Sequence, residues 1–124
     1  MEKSKSITID GVEYVPKGSI QTASPAKKLA GKKYVICRTY SAGVFAGYLE
    51  SRKGQEAVLR NVRRIWYWAG AASLSQLAME GTSKPSECKF PCEVDRVELL
   101  QVIEILDCTD KALKSLTSVP IWQQ

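Results

Sequence analysis

Alternation of apolar and polar residues predicts most of the elements in this chain. In KKYVICRTYS, Tyr34, Ile36, Arg38 and Tyr40 fall on one face of a strand, and Val35, Cys37 and Thr39 on the other. Ser41-Ala42-Gly43 is a turn signal and VFAGYLES a second strand. Arg52-Lys53-Gly54-Gln55 is another turn, with Gly54 as its positive-φ residue. A third strand begins near Ala57, and its alternation fails. Val58, Arg60, Val62, Arg64, Trp66 and Trp68 share one face, Leu59, Asn61, Arg63, Ile65 and Tyr67 the other, and neither is cleanly apolar. A bulge or turn near Asn61-Val62 repairs the pattern and leaves Arg63 or Arg64 pointing to solvent.

Beyond the small-residue corner Gly70-Ala71-Ala72, Ser73-Leu74-Ser75-Gln76 reads as a capping box. It opens a short helix that ends at Gly81. TSKPSECKFPCE is a loop, and VDRVELLQVIEIL is predicted as one strand over 97–106. Thr109 is the expected N-cap of a closing helix, DKALKSLTS, followed by Pro120 and an apolar tail, Ile121-Trp122. At the other end, residues 7–15 (ITIDGVEYV) read as a hairpin with Asp10-Gly11 at a type I′ turn, and residues 16–32 as a linker or mobile arm. The sum is an α+β fold: an antiparallel sheet of four to six strands with two short helices over 33–124, preceded by an N-terminal hairpin and linker over 1–32.

Bulk properties narrow the chemistry. A chain of 124 residues can bury enough surface to fold as one domain without a disulfide or metal. No run is long and apolar enough for a membrane span and the first residues lack a signal peptide's apolar core, so the expected location is the host cytoplasm. Net charge is +5, unevenly spread. Arg52 to Arg64 carries five positive charges against Glu56, whereas Glu93 to Asp110 carries six acidic residues against Arg96. Such segregation favours a localised basic surface. There is no histidine, which removes imidazole-assisted serine or cysteine catalysis and any His-containing zinc site. The four cysteines (Cys37, Cys88, Cys92, Cys108) match paired zinc-ligand spacing poorly and read as reduced thiols. Phosphate-loop, dinucleotide, Asp-x-Asp and nucleophile-elbow patterns are missing, so no catalytic residue, metal or cofactor is assigned and an enzyme is disfavoured.

What remains suits an anionic, base-bearing ligand. Arg60 to Trp68 packs three arginines, two tryptophans and a tyrosine into nine residues. Arginine forks bind phosphate and indole faces stack on bases. The candidate ligand residues are Arg63, Arg64, Trp66 and Trp68 on this strand, and Ser73 at the helix start. Arg38 and Tyr40 at the end of the first strand join them, with Phe90 in the loop as a possible lid. Arg63→Ala or Trp68→Ala is expected to abolish binding and leave the fold intact. The tryptophans and Phe90 also read as core or subunit-interface anchors, and the arginines as solvated charges.

The segments RTYSAGV and RRIWYWAGAASL, with a closing IEILDCT and Lys111-Ala112, resemble those of a family of small phage and prophage proteins, over about residues 33–122. Proteins of that kind include anti-Thoeris sponges, similar in size and layout. That resemblance implies a homo-oligomer that evades host immunity by sequestering a cyclic nucleotide signal without cleaving it, the ligand being a cyclic ADP-ribose isomer or a cyclic oligonucleotide. No ligand residue of the sponge type aligns here, so the candidates above come from the residues themselves. The alternatives are a DNA- or RNA-binding phage accessory protein and a protein–protein inhibitor of a host factor.

Overall fold

The computed structural model describes residues 7–8, 12–13 and 24–124. Strands β1 (Ile7–Thr8) and β2 (Val12–Glu13) pair antiparallel, with Ile7 opposite Glu13, where the hairpin signal lies; the Asp10-Gly11 turn is outside the described residues. The main sheet contains β3 (Tyr34–Thr39), β4 (Val44–Lys53), β5 (Glu56–Arg64), β6 (Val94–Leu99) and β7 (Val102–Asp107). All neighbours are antiparallel, in the order β6-β5-β4-β3-β7. Helices α1 (Leu74–Glu80) and α2 (Asp110–Thr117) complete an α+β fold.

Strands β6 and β7 lie at opposite edges of this sheet, yet only Leu100 and Gln101 join them. Three residue steps reach at most about 11 Å, so the two edges converge at that end and the sheet curls. The curled sheet encloses Val35, Cys37, Phe45, Ala57, Leu59, Val62, Leu99 and Val102. Its outer face presents Tyr34, Ile36, Ala46 and Ile65 to Leu77 and Ala78 of α1 and to Ala112, Leu113 and Leu116 of α2. Strand β3 is therefore buried on both faces from Tyr34 to Cys37. The strand expected over 97–106 is corrected to two, because the chain turns at Leu100-Gln101. Nothing in LLQV signals a turn; the corner is held from outside, by Tyr40 N–H donating to Gln101 O and Val102 N–H to Gln55 O.

The irregularity expected near Asn61 is a bulge. Ala46 pairs with Arg63 but Tyr48 with Arg60, so β5 holds one extra residue there, and Asn61 adopts a left-handed φ of 51°. Asn tolerates that region better than most residues. Opposite it stands Gly47, where a Cβ would come within 3.0 Å of Arg60 O and 3.2 Å of a Val62 methyl. The bulge flips the alternation: Ala57 and Leu59 face inward before it, Val62 after it. Arg63 is thereby turned onto the outer face beneath the loop after α1 and the end of α2, and Arg64 is left exposed.

Residues 24–32, expected as part of a linker, lie against the domain; residues 16–23 fall outside the described residues. Ala26 is buried, its N–H donating to Cys108 O, and Asp110 N–H donates to Ser24 O. A tight turn follows, with Leu29 and Lys32 exchanging two backbone hydrogen bonds across Ala30 and Gly31. Backbone pairing with the β7–α2 junction, which composition cannot reveal, holds this stretch in place.

All four cysteines are free thiols, and only Cys92 is exposed. Burial pushes the Cys37 and Cys108 thiols up to about 12 from an ordinary 9.0, with Asp107 adding to the effect at Cys108. A thiol whose folded pKa is raised contributes full stability below its unfolded value and loses it as pH rises towards the folded one. Stability should thus decline from about pH 9 upward. A native thiol titration should label Cys92 alone at once, the others following only on denaturation. Rapid labelling of Cys37 in native protein would mean that the curled sheet does not stay closed.

Candidate functional site

Past Arg64 the chain leaves the sheet, and three short segments come side by side. Lys89 O accepts from Trp66 N–H and Tyr67 N–H, while Lys89 N–H donates to Tyr67 O. On the other side Phe90 pairs in parallel with Ile121, and Trp122 N–H donates to Phe90 O at 2.9 Å. Residues 66–67, 89–90 and 121–122 thus form a small ribbon with the loop segment in its middle. The inward residues Ile65 and Phe90 are buried. Those turned outward make a surface of large apolar groups: Trp66 is 64% exposed, Tyr67 52%, Ile121 55% and Trp122 36%.

Within that surface the Trp66 and Trp122 rings stack, with centroids 6.3 Å apart and planes 10° from parallel. Lys89 Nζ stands 5.6 Å from the Trp122 ring and 5.7 Å from the Tyr67 ring. Among the described residues, no ion pair involves Lys89. Clustered exposed aromatics around a cation mark a surface built to meet something, since isolated exposed apolar residues need no such explanation. The arrangement offers π-faces for stacking and one ammonium for an anion.

The residues singled out in the sequence divide sharply. Trp66 belongs to this platform. Trp68 does not; it is half-buried against the outer core, and its indole N–H donates to Ala71 O at 3.1 Å. Trp68→Ala should therefore lower stability by roughly 2–3 kcal/mol through lost packing, detectable by urea denaturation, instead of acting on binding with the fold intact. Phe90 is fully buried, a plug under the loop and not a lid. Ser73 caps α1, accepting from Gln76 N–H at 3.2 Å, while Gln76 Oε1 accepts from Ala72 N–H. Its hydroxyl is engaged within the helix cap.

Arg63 as a ligand contact is corrected outright. It is 5% exposed, and its guanidinium donates to Val119 O at 2.6 Å, Phe90 O at 2.8 Å and Pro91 O at 3.3 Å. Longer bonds run to Leu116 O and Pro120 O, and the guanidinium stands 5.3 Å from the Phe90 ring centroid. Burial lowers its pKa from the ordinary arginine value.

The neighbouring arginines have partners as well. Arg64 Nη1 donates to Ala42 O at 2.6 Å and lies over the Phe45 ring; Arg60 pairs with Glu50 and Arg38 with Glu104. Arg52 donates to Gly54 O. Within the basic segment Arg63 is buried, while Arg52, Lys53, Arg60 and Arg64 are exposed, each of these arginines bonded to a carbonyl or a carboxylate. Tyr40 is 77% exposed at the β3–β4 corner, next to an open cleft lined by Thr39, Ser41, Leu99, Leu100 and Gln101. The cleft's side-chain hydroxyls are occupied: Thr39 Oγ1 donates to Gly43 O and Ser41 Oγ to Gln101.

Tyr67, Lys89 and Trp122 escaped the sequence reading as site residues. Tyr67 and Lys89 stood beside chosen positions. Trp122 follows Pro120 at the far end of the chain, and nothing local ties it to Trp66. Among the described residues, no cluster of acidic and cysteine side chains is arranged to hold a metal ion, and no helix is long and apolar enough to cross a membrane.

Fold and surface together define a small α+β protein: a curled five-stranded antiparallel sheet, two helices on its outer face, and an exposed aromatic–lysine platform beside them. The chain belongs to the family described as a domain of unknown function (DUF6948), matched over residues 32–116. The match takes in Trp66, Tyr67 and Lys89, and ends before Trp122. No curated protein and no solved structure matches the chain.

Proposed function

We propose that this protein is a non-catalytic binder of a nucleotide signal, holding the ligand on the Trp66–Trp122 platform with Lys89 beside its phosphate. The observation that carries this reading is the pair of parallel, solvent-facing indoles flanked by a lysine among apolar neighbours. Base–aromatic stacking contributes about 1–3 kcal/mol per base, enough for a small ligand with one or two bases. The lack of histidine favours holding over cleaving. The likeness in size and layout to anti-Thoeris sponges supports taking the signal as a cyclic ADP-ribose isomer or a cyclic oligonucleotide, sequestered by a homo-oligomer in the host cytoplasm as an anti-defence device.

A nucleic-acid reading is less well supported. Duplex binding needs several phosphate contacts from free cations, and Arg63 is buried while Arg38 and Arg60 hold surface carboxylates and Arg64 a backbone carbonyl. Tryptophan fluorescence with cyclic ADP-ribose isomers and cyclic di- and trinucleotides tests the proposal. Saturable quenching, a shallow salt dependence and recovery of intact ligand after heating are expected. Absence of quenching with every one of these ligands overturns it, and a steep salt slope with single-stranded DNA or RNA would hand the platform to nucleic acid.

A further inference from the structure

We infer that Arg63 is the positioning residue of the platform, setting the Trp66–Trp122 geometry from beneath without touching the ligand. The inference rests on the nucleotide-binding reading for its consequence, but not for its geometry. The platform is assembled from three segments distant in sequence, and a single guanidinium ties them. Arg63 lies on β5, three residues before Trp66. Its Nη2 donates to Phe90 O and Pro91 O, the residues that follow Lys89. Its Nη1 donates to Leu116 O and Val119 O, and Nη2 reaches Pro120 O, two residues before Trp122. Leu116 O already accepts from Ser118 N–H and Val119 N–H, whereas Val119 and Pro120 lie past the end of α2, so the fork chiefly anchors the tail leaving that helix.

Without this anchor the tail from Pro120 onward has few other holds. Trp122 N–H donates to Phe90 O and Ile121 pairs with Phe90, while Pro120 to Gln124 are all exposed. A lysine at position 63 would keep the charge but not the planar fork, so it could not serve the loop and tail carbonyls together. The tail would then sample other positions, and the indole pair would lose its fixed spacing. A ligand surface misplaced by about an ångström loses much of its effect even when every side chain is present.

The test compares wild type, Arg63→Lys and Trp122→Phe in the full chain. Stacked indoles give a coupled band in the far-ultraviolet circular dichroism. Wild type should show it, Trp122→Phe should lack it, and Arg63→Lys should lose at least about half of it with the sheet signal retained. Arg63→Lys should also bind cyclic ADP-ribose or a cyclic dinucleotide about tenfold or more weakly. An Arg63→Lys protein with the full coupled band overturns the inference, as does a wild type without one. A band that responds as expected in a protein that binds no nucleotide keeps the positioning role and discards the ligand assignment. Should Arg63→Lys fail to fold, nitrogen NMR of the wild type decides. Resolved, slowly exchanging guanidinium signals for Arg63 support the clamp, and a single averaged signal sinks it.

Discussion

Trp66→Ala is expected to weaken nucleotide binding by about 5–150-fold, the equivalent of about 1–3 kcal/mol of stacking, while stability changes by less than about 1 kcal/mol. The separation of the two effects follows from where the side chain sits. Trp66 is 64% exposed and, among the described residues, its ring partner is Trp122, so truncation removes little core packing. A base seated on the platform would lose one of its π-faces. Trp122→Ala should reproduce the binding loss, and the double variant should lose less than the sum because the rings are in contact. Isothermal titration alongside thermal melts reads both quantities. A Trp66→Ala protein that binds as wild type does while melting well below it would make the stack a structural brace and remove the platform as a site.

Arg63→Ala should produce the largest stability loss of any single truncation proposed for this chain, about 3–5 kcal/mol, because it removes a buried charged donor shared by several main-chain carbonyls. The substitution orphans the carbonyls of Pro91, Val119 and, more weakly, Pro120, whereas Phe90 O keeps the Trp122 N–H and Leu116 O the Val119 N–H. Each buried unsatisfied group costs about 1–3 kcal/mol unless water reaches it, and water should reach those near the exposed tail. Urea denaturation gives the number. A loss below about 1 kcal/mol would mean that the guanidinium is replaceable by solvent and that its bonds bring little net stability. Against the total of about 5–15 kcal/mol typical of a domain, the expected loss puts the variant close to unfolding, so binding is better read from Arg63→Lys.

Much of the scaffold was legible from local chemistry. The positive φ of Gly54, the caps Ser73 and Thr109, and the stop at Gly81 are each dictated by one residue and its neighbours. The break at Asn61 was legible for a subtler reason: two incompatible alternations meet there, and only an inserted residue reconciles them. The corner at Leu100-Gln101 was not, because no residue in it favours a turn and the bend is imposed by β3 and the β4–β5 hairpin.

The site shows the same division more strongly. An arginine next to an aromatic run has one appearance in sequence and two fates in space. Alternation could say that Arg63 and Arg64 point opposite ways, but not which way lies α2 and which way lies water. The sequence by itself determined the α+β class, the caps, the bulge and the gathering of aromatics near Trp66. Tertiary structure alone decided that Arg63 is a buried clamp, that Phe90 is a plug, and that Trp122 joins Trp66. The reason is range: caps, turns and bulges are settled within a few residues of backbone, whereas burial and ring stacking depend on segments more than fifty residues apart that meet only when the sheet has curled.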